Sequence, residues 1–260
     1  MRCYGMTDIG MYRSENQDYF KTAKAPDGML LAVVCDGMGG AAGGSTASRM
    51  AGDEFCKCAA AILQEKFRKK EELSDGDIRW ILSTAAYRAN LKVYTAAASD
   101  RELYGMGTTL TGALIREDWF WVVNVGDSRA YQFRRNRGKL LTHDHSYVQM
   151  LVDQGRITEE EALNHPQKNI ITRAIGTKPT VESDICSGPL EPGDCMLLAT
   201  DGLTNLLSIE ELIEVISEQK MLRHTVNELV GGANAKGGDD NITAVLIQTK
   251  GNALYGKRKS

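Results

Sequence analysis

Between residues 108 and 141 the chain reads as strand after strand, joined by links of only a few residues. TTLTGALI (108–115), DWFWVVNV (118–125) and RAYQFRR (129–135) are short, rich in β-branched or aromatic residues, and bounded by Gly or Asp. A parallel crossover needs a dozen or more residues of connection, so these strands must lie in antiparallel sheets. MLLAVVC (29–35), DCMLLAT (194–200) and NITAVLIQT (241–249) are strands of the same kind. Runs such as LLAVV are apolar at every position, which places those strands under cover on both faces.

Helices supply the cover. Ala47, Ala51, Phe55, Cys58 and Ile62 recur at steps of three and four, as do Ile78, Leu82, Ala85, Ala89, Val93 and Ala96, so two long helices each bury one face. The charged run QEKFRKKEELSDGD between them is a solvated helix end and loop. Ser208 with Glu211, and Thr158 with Glu161, have the spacing of capping boxes and predict helix starts. The second of these helices must stop near His165-Pro166. Antiparallel sheets flanked by helices give a layered α+β sandwich.

Composition excludes several classes. The 260 residues carry 31 Lys and Arg against 34 Asp and Glu, a net charge of −3, so neither a basic nucleic-acid surface nor a polybasic membrane patch is present. The longest apolar runs fall far short of the ~20 residues of a membrane span. The start, MRCYGMTDIG, has no signal-peptide stretch and reads as cytoplasmic. Six scattered cysteines form no disulfide framework, and Cys56-Lys57-Cys58 lacks the second pair of a zinc site. His143-Asp144-His145 reads as a polar turn after a strand, with free ligands in a loop as the alternative.

One pattern recurs at strand ends. LLAVVC runs into Asp36-Gly37, WFWVVNV into Gly126-Asp127, and CMLLAT into Asp201-Gly202, while Asp239-Asp240-Asn241 precedes ITAVLI. Asp-Gly alone is a common turn pair. Four such carboxylates at the ends of core strands, packed side by side, would repel strongly unless cations neutralised them. Oxygen ligands without Cys or His favour magnesium or manganese over zinc. Arg13, five residues before Asp18, is either a surface side chain or, beside such a cluster, a planar fork suited to phosphate.

TDIGMYRSENQD, VVCDGMGG, GMGTTL, VGDSRAY, HPQKNIITRAIG, LLATDGL and GGDDNITAVLI occur in this order over roughly residues 1–250. The ordered set resembles the metal-dependent protein serine/threonine phosphatases (PPM, or type 2C) in their compact bacterial form. The resemblance implies a four-layer α/β/β/α sandwich, with residues 1–250 as a single phosphatase domain, a flap at about 146–175 and a tail at 251–260. It implies that Asp36 bridges two Mn²⁺ or Mg²⁺ ions, that the Gly37 carbonyl binds one, and that Asp201 and Asp240 complete the second site. Asp127, shared with Asp201, is similar to the ligand of a third, weaker ion. Asp18 resembles the outer carboxylate that holds water on the metals, with Gln17 and Asn241 beside it, and Arg13 the phosphate-binding arginine. Phosphorylated proteins, a serine/threonine kinase among them, are the implied partners of a monomer.

Two positions depart from the family pattern. Gln17 stands where many relatives carry glutamate, and Ala41 where bacterial members carry the histidine that is a candidate general acid. Ala41 lowers the expected rate without removing the metal-activated nucleophile. A weak or dead phosphatase-like binding module is the alternative, against which the retained Arg13, Asp18, Asp36, Asp127, Asp201 and Asp240 count. A metal-dependent phosphodiesterase or nuclease would need a basic stripe that the chain lacks.

Overall fold

The computed structural model describes residues 1–218 and 220–249, and at residues 41 and 42 the backbone only. The tail 251–260 and the Ala41 side chain therefore lie outside the described residues. In chain order the strands are β1 (Arg2–Asp8), β2 (Asp18–Lys24), β3 (Leu30–Met38), β4 (Gly107–Thr108), β5 (Leu110–Arg116), β6 (Trp119–Val125), β7 (Arg129–Arg134), β8 (Arg137–Leu140), β9 (Asp184–Pro189), β10 (Cys195–Ala199) and β11 (Ile242–Gln248). The helices are α1 (Gly40–Arg68), α2 (Asp75–Ser99), α3 (Tyr147–Asp153), α4 (Glu159–Leu163), α5 (Asp201–Thr204), α6 (Ile209–Ser217) and α7 (Leu222–Ala235). Among the described residues no helix is long and apolar enough to cross a membrane.

Two antiparallel sheets face each other, one in the order β1-β11-β10-β7-β8 and the other β2-β3-β5-β6-β9, with the short β4 paired to β3. Side chains alternate along a strand, and here each face has its own apolar partner. Leu31, Val33 and Cys35 of β3 pack with α1 and α2, while Ala32 and Val34 point into the space between the sheets. In β11, Ala244 and Leu246 pack with α6 and α7, and Val245 and Ile247 meet the other sheet. The three apolar clusters are thus the three interfaces of a helix–sheet–sheet–helix sandwich, which confirms the expected α+β class and explains the strands that are apolar on both faces.

The capping boxes at Ser208/Glu211 and Thr158/Glu161 form as expected, and Ser74 with Asp77 makes a third. Thus α2 begins inside LSDGD and not after it, because Ser74 caps Asp77. The buried stripe of α1 runs through Ala47, Ala51, Phe55, Cys56, Ala59 and Leu63, and the expected Cys58 and Ile62 lie at its half-buried margin. The strand expected over 108–115 is broken at Thr109, which joins β4 to β5. All six cysteines are free thiols.

Strand direction puts one edge of the sandwich to use. In an antiparallel sheet the end of one strand lies beside the start of the next. The ends of β1, β3, β6 and β10 and the starts of β2, β5, β7 and β11 therefore share an edge, as the pairs Asp8↔Ile242, Asp18↔Asp36, Leu110↔Val125 and Ala199↔Arg129 show. Two links cross between sheets here: residues 9–17 from β1 to β2, and residues 126–128 from β6 to β7.

Candidate metal centre

A cleft of about 500 Å³ opens at this edge. Of the residues singled out in the sequence, Arg13, Gln17, Asp36, Gly37, Asp127, Asp201, Asp240 and Asn241 line it. Asp18 lies beneath, 8% exposed and opposite Asp36 in the β2–β3 register. Each carboxylate arrives from a different strand end, so the grouping is a product of the sheet topology.

The backbone around Asp36 is fixed by the two threonines after Gly107. Thr109 Oγ1 accepts from Asp36 N–H at 2.8 Å, Thr109 N–H donates to Asp36 O at 2.9 Å, and Thr108 Oγ1 donates to the same carbonyl at 2.8 Å. Gly37 must be glycine for space, since a Cβ there would lie 2.1 Å from the Gly44 carbonyl oxygen. That contact brings the start of α1 directly against the end of β3. Gly39, at φ 117°, turns the chain into α1 through a conformation open to glycine.

The flanking residues brace the cleft. Asn241 Oδ1 accepts from Gln17 N–H at 2.8 Å, and its Nδ2 donates to the Ile9 and Glu15 carbonyls at 2.9 and 3.0 Å. The Gln17 amide donates to Gly40 O at 2.9 Å, tying the crossing loop to α1. Arg13 stands at the lip, 55% exposed, with Nη2 2.7 Å from Asp240 Oδ2. That bond is the main cause of an Arg13 pKa raised above its ordinary value.

In His143-Asp144-His145 the last two residues face inward, while His143 is exposed and meets Asp153 at 3.1 Å, so the three are not a free ligand set. Asp144 takes a bidentate grip from Arg129, with Nη2 at 2.7 Å. The His145 Nδ1 accepts from Gly126 N–H at 3.0 Å, so its proton sits on Nε2, 3.1 Å from Asp184. The histidine thereby pins the turn that carries Asp127. The sequence reading did not find Thr108, Thr109, Arg129 or His145 as supports. Only Arg129 had a positional signal, two residues after the Gly126-Asp127 pair.

Burial and mutual repulsion dominate the electrostatics. Burial first, then repulsion from Asp18, Asp201, Asp127 and Asp240, holds the Asp36 carboxyl far above the usual carboxylate range. Burial and then Asp201 push Asp127 to about 8. Burial raises Asp18 to about 7 against the opposing pull of two threonine hydroxyls. Asp201 is raised by burial and then by Asp240. Two buried carboxylate oxygens, Oδ1 of Asp18 and Oδ1 of Asp201, have no hydrogen-bond partner.

An orphaned buried carboxylate oxygen is costly, and a cation is the partner that such a site lacks. The lining holds carboxylates and backbone carbonyls but no His or Cys, the donor set of a hard divalent ion. Among the described residues no three His, Cys, Asp or Glu side chains close into a cage. Carboxylates spread around the cleft fit ions that keep several of their waters, as magnesium does.

The raised carboxyls carry a pH signature. Each binds its proton more tightly in the fold than in the unfolded chain, where the pKa is about 4. Their stabilising effect is therefore complete below about pH 4 and is lost as pH rises through about 7 and 8 for Asp18 and Asp127. The metal-stripped protein should lose thermal stability from about pH 6.5 to about pH 8, and Mn²⁺ should raise its Tm more at the upper value. A flat Tm over that range, with no pH dependence of the Mn²⁺ effect, would contradict the electrostatic account.

Residues 13–246 match the family model described as Protein phosphatase 2C. A serine/threonine phosphatase, stp, of Listeria monocytogenes is 35% identical over 243 residues, 93% of each chain. The solved serine/threonine phosphatase of S. agalactiae superposes with a TM-score of 0.85 at 37% identity, covering 96% of this chain and 99% of that one. The catalytic domain of the phosphatase PstP, solved in complex with two manganese ions, gives 0.79 at 31%, covering 96% and 98%. With the acidic cleft at the sandwich edge, these similarities identify the chain as a member of the protein phosphatase 2C family and a serine/threonine protein phosphatase.

Proposed function

We propose that the chain hydrolyses phosphoserine and phosphothreonine on proteins at a centre of two Mn²⁺ or Mg²⁺ ions, with a place for a third, and so reverses serine/threonine kinase signalling. The observation that carries this reading is the pair of unpartnered buried oxygens on Asp18 and Asp201, set in an acidic cleft with an arginine at its lip. Asp36, the Gly37 carbonyl, Asp201 and Asp240 would hold the two ions, and Asp127 with Asp201 the third. When bound, the ions supply an activated water and neutralise the phosphate dianion.

The protein's own groups do the rest. Arg13, already placed at the mouth, offers its planar fork to the phosphoryl oxygens. Asp18 is the acceptor for a water proton, since one of its oxygens is free. Asn169 and Ile171 line the cleft from the far side, and we take residues 146–175 as the flap over it. The polar cleft suits a phosphorylated side chain on a protein surface, not a deep apolar ligand. Phosphorylated proteins, a kinase among them, are the proposed partners of a cytoplasmic monomer, with residues 1–250 as one domain. PstP crystallised with two manganese ions supports the choice of metal.

The deciding experiment measures hydrolysis of p-nitrophenyl phosphate and a phosphothreonine peptide with and without Mn²⁺ and EDTA. Turnover should require the metal, and Asp36→Ala or Asp201→Ala should lower it at least about a thousandfold while the fold persists. Full activity in EDTA after exhaustive dialysis would overturn the metal reading and leave the binding module. Arg13→Ala should raise KM for the phosphopeptide roughly tenfold with a smaller change in kcat, and Arg13→Lys should restore only part, because a point charge lacks the bidentate fork. Unchanged kinetics in both variants would make Arg13 an ordinary surface residue.

A further inference from the structure

Asp18 is held in an unusual way. Its Oδ2 accepts from two hydroxyls, Thr200 Oγ1 and Thr243 Oγ1, each at 2.7 Å, while its Oδ1 has no partner. Both threonines are fully buried. A buried threonine in a strand ordinarily gives its proton to a nearby carbonyl. Here two of them, from the end of β10 and the start of β11, converge on one carboxylate oxygen in the opposite sheet.

Each hydroxyl is itself oriented. Thr200 Oγ1 accepts from Thr243 N–H at 2.9 Å, so its single proton is free to go to Asp18. Thr243 Oγ1 lies 2.7 Å from Thr7 Oγ1 as well as from Asp18. The single Thr243 hydroxyl proton thus has two acceptors in reach, Thr7 Oγ1 and Asp18 Oδ2, and the carboxylate is the stronger of them. Thr7 in turn accepts from Asn16 Nδ2 at 2.9 Å, and Asn16 Oδ1 accepts from the Asp18 backbone N–H at 3.0 Å. These contacts link the Asp18 backbone, Asn16, Thr7 and Thr243 to the Asp18 carboxylate in one buried polar network.

We infer that Thr200 and Thr243 are positioning residues of the metal centre: their paired hydroxyls hold Asp18 Oδ2, which leaves Oδ1 free for the hydrated cations. The inference rests on the metal-dependent reading proposed above. A carboxylate with both oxygens free could turn about its Cβ–Cγ bond. With Oδ2 held by two donors it cannot, and its other oxygen keeps one place. Partners of this outer kind fix the groups that touch the metal shell, and losing one typically costs ten- to a hundredfold in metal affinity.

The test is calorimetric titration of Mn²⁺ into the EDTA-stripped full chain, with no substrate and no activity readout. Thr200→Val and Thr243→Val keep the shape and remove the hydroxyl; Thr200→Ser and Thr243→Ser keep the hydroxyl. Each valine variant should weaken Mn²⁺ binding roughly tenfold or more, and each serine variant should stay within about threefold of the parent. In an Asp18→Asn background the valine substitutions should add nothing further, since they act through the carboxylate. Valine variants that bind Mn²⁺ as the parent does, or that weaken it equally in both backgrounds, overturn the inference. Melting of the metal-free proteins covers the case of poor folding. A valine variant that folds only with Asp18→Asn supports the inference, because the stranded carboxylate is then the cause. One that fails in both backgrounds shows a purely structural role and overturns it. If the parent itself takes up no Mn²⁺, it is the metal-dependent reading that fails.

Discussion

The repulsion among carboxylates at one edge of the sandwich is the constraint around which the rest is arranged. Asp18 and Asp36 stand directly opposite each other in an antiparallel pair, a placement that destabilises a sheet when both are charged. Asp201, Asp240 and Asp127 add to the potential from the other sheet and from the crossing turn. The fold tolerates this because the strands behind the edge are apolar on both faces and buried between three layers of contact. Protons relieve the repulsion in the metal-free chain, and on the proposed reading cations would take their place. The same antiparallel pairing that makes the core also collects the charge, so fold and site have one geometric origin.

Around that charge the chain spends hydroxyls and amides, not more ions. Thr108 and Thr109 hold the Asp36 backbone, Thr200 and Thr243 hold Asp18, Asn241 and Gln17 hold the crossing loop, and His145 holds the turn before Asp127. Neutral donors fix direction without cancelling the negative potential that a divalent cation requires. Two positive charges near it among the described residues are placed apart from one another. Arg13 lies at the lip on Asp240, and Arg129 lies beneath with Asp144.

Much of this was legible in the sequence, and the unread parts have physical reasons. Short links between 108 and 141 forced antiparallel sheets, and the doubly apolar runs forced cover on both faces. Asp36, Asp127, Asp201 and Asp240 were visible because each follows or precedes an unmistakable core strand. By contrast β2 (DYFKTAK) and β8 (RGKL) are edge strands, mostly half-buried or exposed, so no strong apolar pattern marks them. In β9 (DICSGP) glycine and proline read as a turn, and proline is tolerated there because the strand lies at the sheet edge. The Gly231-Gly232 pair hides α7, whose helix is kept by packing Val226, Leu229, Val230 and Ala233 into the core. Asp18 gained a role only through family resemblance, and Arg13 stayed open between a surface side chain and a phosphate fork until then, since neither stands at the end of an apolar run. The supporting threonines were invisible for a different reason: threonine is a favoured strand residue anyway, and only the partner of its hydroxyl distinguishes scaffold from site.

The central claim is that protons and divalent cations compete for one buried set of carboxylates. Its most direct measurement is the number of protons released when Mn²⁺ binds the stripped protein, read from calorimetric heats in two buffers of different ionisation enthalpy near pH 7. Asp127 and Asp18 are raised to about 8 and about 7 in the metal-free fold, and Asp36 is held well above the usual carboxylate range, so binding should release at least about one proton per chain. Heats that are the same in both buffers, with Mn²⁺ bound and no proton released, would contradict it.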